Sequence, residues 1–146
     1  KLRNSPAWEN LLIILLPDHS TPHPVSIGNN SPERHHIPMH WLGGAIKENM
    51  TVNEYMSQTD IAATLLGQLG LSHNEFIFSK DVSNAGSSKF AYWAFNNGFG
   101  LIDVNGVTIF DYTTGKELRR EGDPESTRLN HGKAILQKTF IEIRKL

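Results

Sequence analysis

A chain of 146 residues fits one domain and is long enough to bury a real core. Its 14 basic against 15 acidic side chains leave it nearly neutral, without the charge footprint of a nucleic-acid binder or a protein of anionic membrane surfaces. It contains no cysteine, which excludes thiolate zinc sites, thiol nucleophiles and disulfides, and these residues hold no apolar run of membrane-spanning length and no signal-peptide or lipidation pattern.

Residues 1–10, with Asn4, Ser5, Pro6 and Asn10, read as a loop or short helical lead-in in which Trp8 is a packing residue. The run Leu11-Leu12-Ile13-Ile14-Leu15-Leu16 is too uniformly apolar for a half-exposed strand, so it predicts a central strand buried on both faces, flanked by parallel neighbours. Such a strand needs crossover units on either side, and little sequence precedes it. The expectation is therefore a C-terminal piece of a longer protein.

The strand delivers Asp18 and His19 to its C-terminal end, where open α/β sheets place their ligands. A carboxylate oxygen and an imidazole nitrogen side by side make half of a divalent-metal site; the same two residues also fit a turn-starting Asp and a surface His. Residues 20–34 carry Pro22, Pro24, Gly28, Asn29, Asn30, Ser31 and Pro32, which predict a loop able to sustain neither helix nor ladder. His23 lies within it, four residues beyond His19.

A second strand is expected from His36 through Leu42, closed by Gly43-Gly44. Ser57 has N-cap chemistry, Asp60 suits a first turn, and Ile61, Leu65, Leu66 and Leu69 predict one face of a helix stopped by Gly70. Residues 72–89 are polar apart from Phe76-Ile77-Phe78. The period then switches to two over residues 90–95, 100–104 and 107–112, separated by Asn96-Asn97-Gly98 and Asn105-Gly106. Asn-Gly predicts a hairpin whose two turn residues both take positive φ. A turn at residues 113–116 and a short fourth strand around residues 117–119 complete an antiparallel meander. Asp123-Pro124-Glu125 predicts the start of a last helix whose stripe of Leu129, Leu136, Phe140 and Ile143 covers one face of that meander.

The ordered set Asp18-His19, His23, His36-Ile37-Pro38-Met39 and Ser57-Gln58-Thr59-Asp60-Ile61-Ala62-Ala63-Thr64-Leu65-Leu66 resembles the C-terminal portion of the sulfatase-like branch of the alkaline phosphatase superfamily. Within that branch it is most similar to the lipoteichoic acid synthase and phosphoethanolamine transferase group. The resemblance implies an α/β fold, the C-terminal part of an alkaline-phosphatase-like sandwich, with a small antiparallel sheet and a terminal helix. Residues 1–89 would be the last strands and helix of the metal-binding domain, and residues 90–146 the meander and closing helix.

By the same resemblance Asp18 and His19 match metal ligands for a divalent ion such as Mn, Zn, Mg or Ca. His23 lies where relatives place a His that meets the substrate phosphate or a second metal, and an unliganded loop His fits the position too. His36 has either a role behind those ligands or a packing one within its strand. His40, His73 and His131 read as structural. The catalytic nucleophile, a Thr, Ser or modified Cys, has no counterpart in this chain, so the piece alone is expected to be inactive.

The implied parent is a metal-dependent transferase of phosphoglycerol or phosphoethanolamine groups. It would act on a phospholipid-derived ester, anchored in a membrane with its catalytic domain outside the cytoplasm. A sulfatase acting on sulfate esters is the alternative within the superfamily. From the residues alone, a non-catalytic binding module is the other reading, with Tyr92, Trp93, Phe95 and Phe99 forming a ligand surface; those alternate aromatics equally fit a core beneath the last helix. A piece with an open sheet edge also predicts oligomerisation or strand exchange between copies.

Overall fold

The computed structural model describes residues 1–21, 23 and 26–146, so Pro22 and Pro24, read as loop residues, lie outside the described residues. The chain forms two compact units. One comprises residues 1–28 and 32–52, the other residues 29–31 and 53–146. The helix over residues 60–68 falls in the second unit, where its side chains and backbone are hydrogen-bonded to residues 79, 80 and 82.

In the first unit two short 3₁₀ turns, Leu2–Asn4 and Trp8–Asn10, lead into β1, Ile13–Leu15. β1 pairs antiparallel with β2, His40–Leu42, in a two-stranded sheet with Ile14 opposite Trp41. The expectation of a strand buried on both faces with parallel neighbours is corrected here: β1 is half-buried, and Leu15 is 55% exposed. One short antiparallel partner cannot cover both faces of a strand.

The second strand is also shorter than expected. Pro38 has no N–H to give a ladder, so pairing begins after it, at His40. Residues expected to be pure loop include one helical turn, α1, Pro32–His35, with Pro32 at the first position, where its missing N–H costs nothing. After β2, Gly43 and Gly44 pass against the Trp8–Leu11 backbone so closely that a Cβ on either would lie within 2.4 Å of a carbonyl oxygen. The N–H of Gly44 donates to the Trp8 carbonyl at 3.0 Å, and that of Ala45 to Leu11 at 3.2 Å.

The second unit begins with α2, Asp60–Gln68. Gly70, at φ +67°, ends it: the Leu71 N–H donates to the Leu66 carbonyl and the Gly70 N–H to Gly67, the paired bonds of a left-handed C-terminal cap. Leu69 sits at that cap and is exposed, so the buried face is carried by Ala63 and Thr64 instead. Ser57, expected as the N-cap, turns its hydroxyl to the edge of the sheet, where it accepts from the Tyr92 N–H at 2.9 Å and donates to the Tyr92 carbonyl at 3.2 Å.

The meander follows in order: β3, Phe90–Phe95; β4, Gly98–Asp103; β5, Gly106–Asp111; β6, Lys116–Gly122. Asp103 pairs with Gly106, so the β4–β5 turn residues are Val104 and Asn105, and no non-glycine residue described has positive φ. The expected Asn-Gly turn is corrected accordingly: the Asp103 carboxylate accepts the Asn105 N–H at 2.8 Å and holds the turn without positive φ. The left-handed twist is taken by Gly106 at φ +140°.

Cross-strand pairing sorts the side chains onto two faces. Tyr92, Phe99, Leu101, Thr108 and Phe110 share one; Trp93, Ile102, Val107 and Ile109 share the other, where Trp93, Val107 and Ile109 form a buried cluster. Helix α3, Arg128–Ile143, packs on the Phe99 face. It starts five residues later than Asp123, because Asp123 makes a turn of its own, accepting the Glu125 N–H at 2.9 Å. No helix of the described residues is long and apolar enough to cross a membrane.

Candidate functional site

Asp18 and His19 follow β1 after two intervening residues, Leu16 and Pro17, and the structure brings their side chains together. His19 Nε2 lies 3.6 Å from Asp18 Oδ2, with the His19 side chain 54% and the Asp18 side chain 88% exposed. The Asp18 Oδ1 atom accepts the His19 backbone N–H at 2.9 Å, which holds the carboxylate beside the ring. His19 Nδ1 lies 2.9 Å from the Ser20 carbonyl oxygen. A carbonyl can only accept, so Nδ1 carries the proton and Nε2 is the atom left to bind a cation.

That is the tautomer in which proteins present an imidazole to a metal, the far nitrogen being tied to a backbone carbonyl. The bite also fits. With metal–ligand bonds of about 2.1 Å, two donors 3.6 Å apart subtend roughly 118° at a shared ion, close to tetrahedral.

The other expected site residues do not join the pair. His23 is exposed, its N–H 3.3 Å from the Thr21 hydroxyl. His36 is exposed as well and caps the short α1 turn, donating its N–H to the Pro32 carbonyl at 2.9 Å, so it opens no strand. Among the described residues no three His, Asp or Glu side chains converge into a metal cluster. Asp18 and His19 thus stand as a two-residue pair beside each other, without a third such side chain among the described residues.

Sequence reasoning passed over Arg34. The Ser20 N–H donates to the Arg34 carbonyl at 3.1 Å, tying the segment after His19 to α1, and Arg34 Nη1 is buried without a hydrogen-bond partner. Its only sequence signal is a cation inside a Pro-Glu-Arg-His turn, which solvated arginines share.

The aromatic surface of a binding module does not form. Phe99 is fully buried beneath α3 and Trp93 is buried on the opposite face, its Nε1 donating to the Asn30 carbonyl at 3.3 Å. Tyr92 stacks on Phe99 with centroids 5.6 Å apart, and burial, then the nearby Tyr112, pushes its hydroxyl up to about 12. These rings are core.

No family model matches the sequence, and no curated protein matches it. A solved structure does. The chain superposes on a crystal structure of a protein in the alkaline phosphatase superfamily from Vibrio parahaemolyticus with a TM-score of 0.63 and 18% identity, over 84% of this chain and 33% of that one. This chain has an alkaline-phosphatase-like fold. It spans about a third of the length of that neighbour. The expected fold class is therefore observed: mixed α/β, with a small antiparallel sheet, a four-stranded antiparallel sheet and a terminal helix.

Proposed function

We propose that this chain belongs to a metal-dependent transferase of phosphoglycerol or phosphoethanolamine groups within the alkaline phosphatase superfamily, contributing Asp18 and His19 to its metal centre. The observation that supports the reading is the His19 ring: Nδ1 committed to the Ser20 carbonyl and Nε2 turned toward Asp18 Oδ2 at 3.6 Å. The alkaline-phosphatase-like fold supports it independently.

A bound divalent ion supplies charge neutralisation for phosphoryl oxygens and activation of a nucleophile, the two demands that phosphoryl transfer makes of a protein. This chain's own contribution is positional. The His19 backbone N–H holds the Asp18 carboxylate beside the ring, the Ser20 carbonyl fixes the His19 tautomer, and His23 follows on the same loop as a donor toward phosphate oxygens. The nucleophile and the remaining ligands come, in this reading, from sequence outside the chain. The parent would be membrane-anchored, with its catalytic domain outside the cytoplasm.

The test is calorimetric titration of the chain with Mn²⁺ and Zn²⁺, beside the Asp18→Ala and His19→Ala variants. Weak binding by the parent chain, lowered on the order of a hundredfold by either substitution, is expected. Binding that survives both substitutions removes the site. In the full-length protein a Thr nucleophile sustains the transferase reading, whereas a Cys or Ser in a Cys/Ser-x-Pro-x-Arg setting replaces it with a sulfatase.

A further inference from the structure

The near-neutral total charge hides a strong segregation. Residues 128–146 hold five basic side chains, Arg128, Lys133, Lys138, Arg144 and Lys145, against the single carboxylate Glu142, a net of +4. With −1 for the whole chain, residues 1–127 carry −5. The basic segment is α3 and its tail.

Only the first half of α3 is spent on the meander. Arg128 reaches Asp103 at 3.0 Å, His131 meets the Phe90 ring at 4.6 Å, a Cβ on Gly132 would strike Phe99, and Lys133 lies over Phe110 at 4.5 Å. Beyond residue 139 the helix emerges: Phe140 is 51% and Ile143 57% exposed, Ile141 is exposed, and Leu146 is fully so. Stripe positions expected to cover the sheet therefore face outward.

Lys133 and Arg144 mark the two ends of one stripe. They are eleven residues apart, about 16 Å along the axis and roughly 20° in rotation. Leu136, Phe140 and Ile141 lie between them, beside Tyr112 of the sheet, and together they line one open groove. Neither cation has a carboxylate partner among the described residues. Lys138 and Lys145, on the flank, both share Glu142, at 2.7 and 2.9 Å. Hydrogen bonds from Lys138, then Lys145, hold the Glu142 carboxyl below its ordinary value.

We propose that the emergent C-terminal half of α3 is a docking surface for an anionic lipid bilayer, on which Phe140, Ile141 and Ile143 enter the headgroup boundary and Arg144 and Lys145 meet lipid phosphates. A basic amphipathic helix with an exposed apolar stripe is the composition that binds such interfaces, long cationic side chains reaching up to the phosphates while their stems cover apolar surface. Charge complementarity favours this occupant: beyond residue 136 the helix and its tail carry Lys138, Arg144 and Lys145 against the single carboxylate Glu142. The inference stands independently of the chemistry at Asp18 and His19.

The experiment is co-sedimentation of the 146-residue chain with vesicles of equal parts phosphatidylglycerol and phosphatidylcholine, and with phosphatidylcholine alone, at low and high salt. The expected result is binding to the anionic vesicles only, weakened by salt. Joint Arg144→Glu and Lys145→Glu substitution lowers it on the order of a hundredfold. Glu142→Gln, which removes the carboxylate shared by Lys138 and Lys145, strengthens it. Phe140→Ser with Ile141→Ser weakens it while the circular dichroism spectrum stays unchanged, since both side chains are exposed. Absence of binding, equal binding to neutral vesicles, or insensitivity to the charge reversal overturns the proposal. So does self-association in light scattering that the Phe140→Ser/Ile141→Ser variant abolishes, which would make a second copy the occupant.

Discussion

The β1–β2 ribbon and the β3–β6 meander are both antiparallel and both rich in apolar side chains, but they are stabilised in different ways. The ribbon pairs over three residues a strand, and its most aliphatic segment stays half exposed. The meander pairs over six or seven, carries α3 on one face, and has its outer β3 edge closed by the Ser57 hydroxyl. Backbone pairing alone leaves a strand marginal; a covering layer is what turns an apolar pattern into a core. The candidate metal pair follows the marginal element.

The sharpest way to break the second unit is at Asp60, which is 1% exposed. Its carboxylate accepts the Ser57 N–H at 2.7 Å and the Lys80 N–H at 3.0 Å, and it pairs with the Lys80 ammonium. Burial pushes that ammonium below its ordinary value, against the opposing pull of Asp60. Asp60→Ala leaves a buried cation and two N–H donors unanswered, so a loss of about 3–5 kcal/mol in urea denaturation is expected. A loss under about 1 kcal/mol would show that Asp60 does not hold residues 57 and 80 to the start of α2 as described.

Next comes the α3 packing. Gly132 is buried, and a Cβ there would lie 2.0 Å from the Phe99 ring. Gly132→Ala should cost about 1–3 kcal/mol despite the better helix propensity of Ala, because Phe99 has no space to retreat into. A more stable variant would refute the contact.

The comparison sharpens when the same measurement is made on the first unit. Leu15→Ser and Asp18→Asn should shift stability by no more than about 0.5 kcal/mol, since both side chains are exposed. Asp18→Asn should nonetheless remove metal binding. A large destabilisation at either position would mean that the ribbon bears more of the fold than its burial implies.

The smallest effect concerns pH. Glu142 has a depressed carboxyl in the folded chain, so whatever it adds at the end of α3 is complete above the ordinary carboxylate value and vanishes as pH falls through its lowered one. Amide exchange in the last turn of α3 should quicken over that acidic range, with the meander unchanged. Glu142→Gln should exchange at the faster rate at every pH.

Much of this was legible in local patterns. The positions of the turns within residues 90–122, the Gly70 stop and the adjacency of Asp18 and His19 follow from short-range chemistry, although the φ pattern expected of the Asn105-Gly106 turn does not. The bite of Asp18 on His19 needs only a dipeptide and one carbonyl, and could be anticipated. The placement of His23 and His36 apart from it could not, because no local rule decides where a proline-rich loop carries its side chains.

What the sequence by itself determined is the period of each element and the chemical identity of the candidate ligands, since both are properties of neighbours along the chain. Only the tertiary structure decided which apolar faces are covered. It left Leu15, Phe140 and Ile143 exposed despite their periodicity, buried Asp60 despite its charge, and turned Ser57 from a helix cap into the closure of a sheet edge. Burial depends on what packs from a distance, and hydrophobic periodicity names a face without naming its partner.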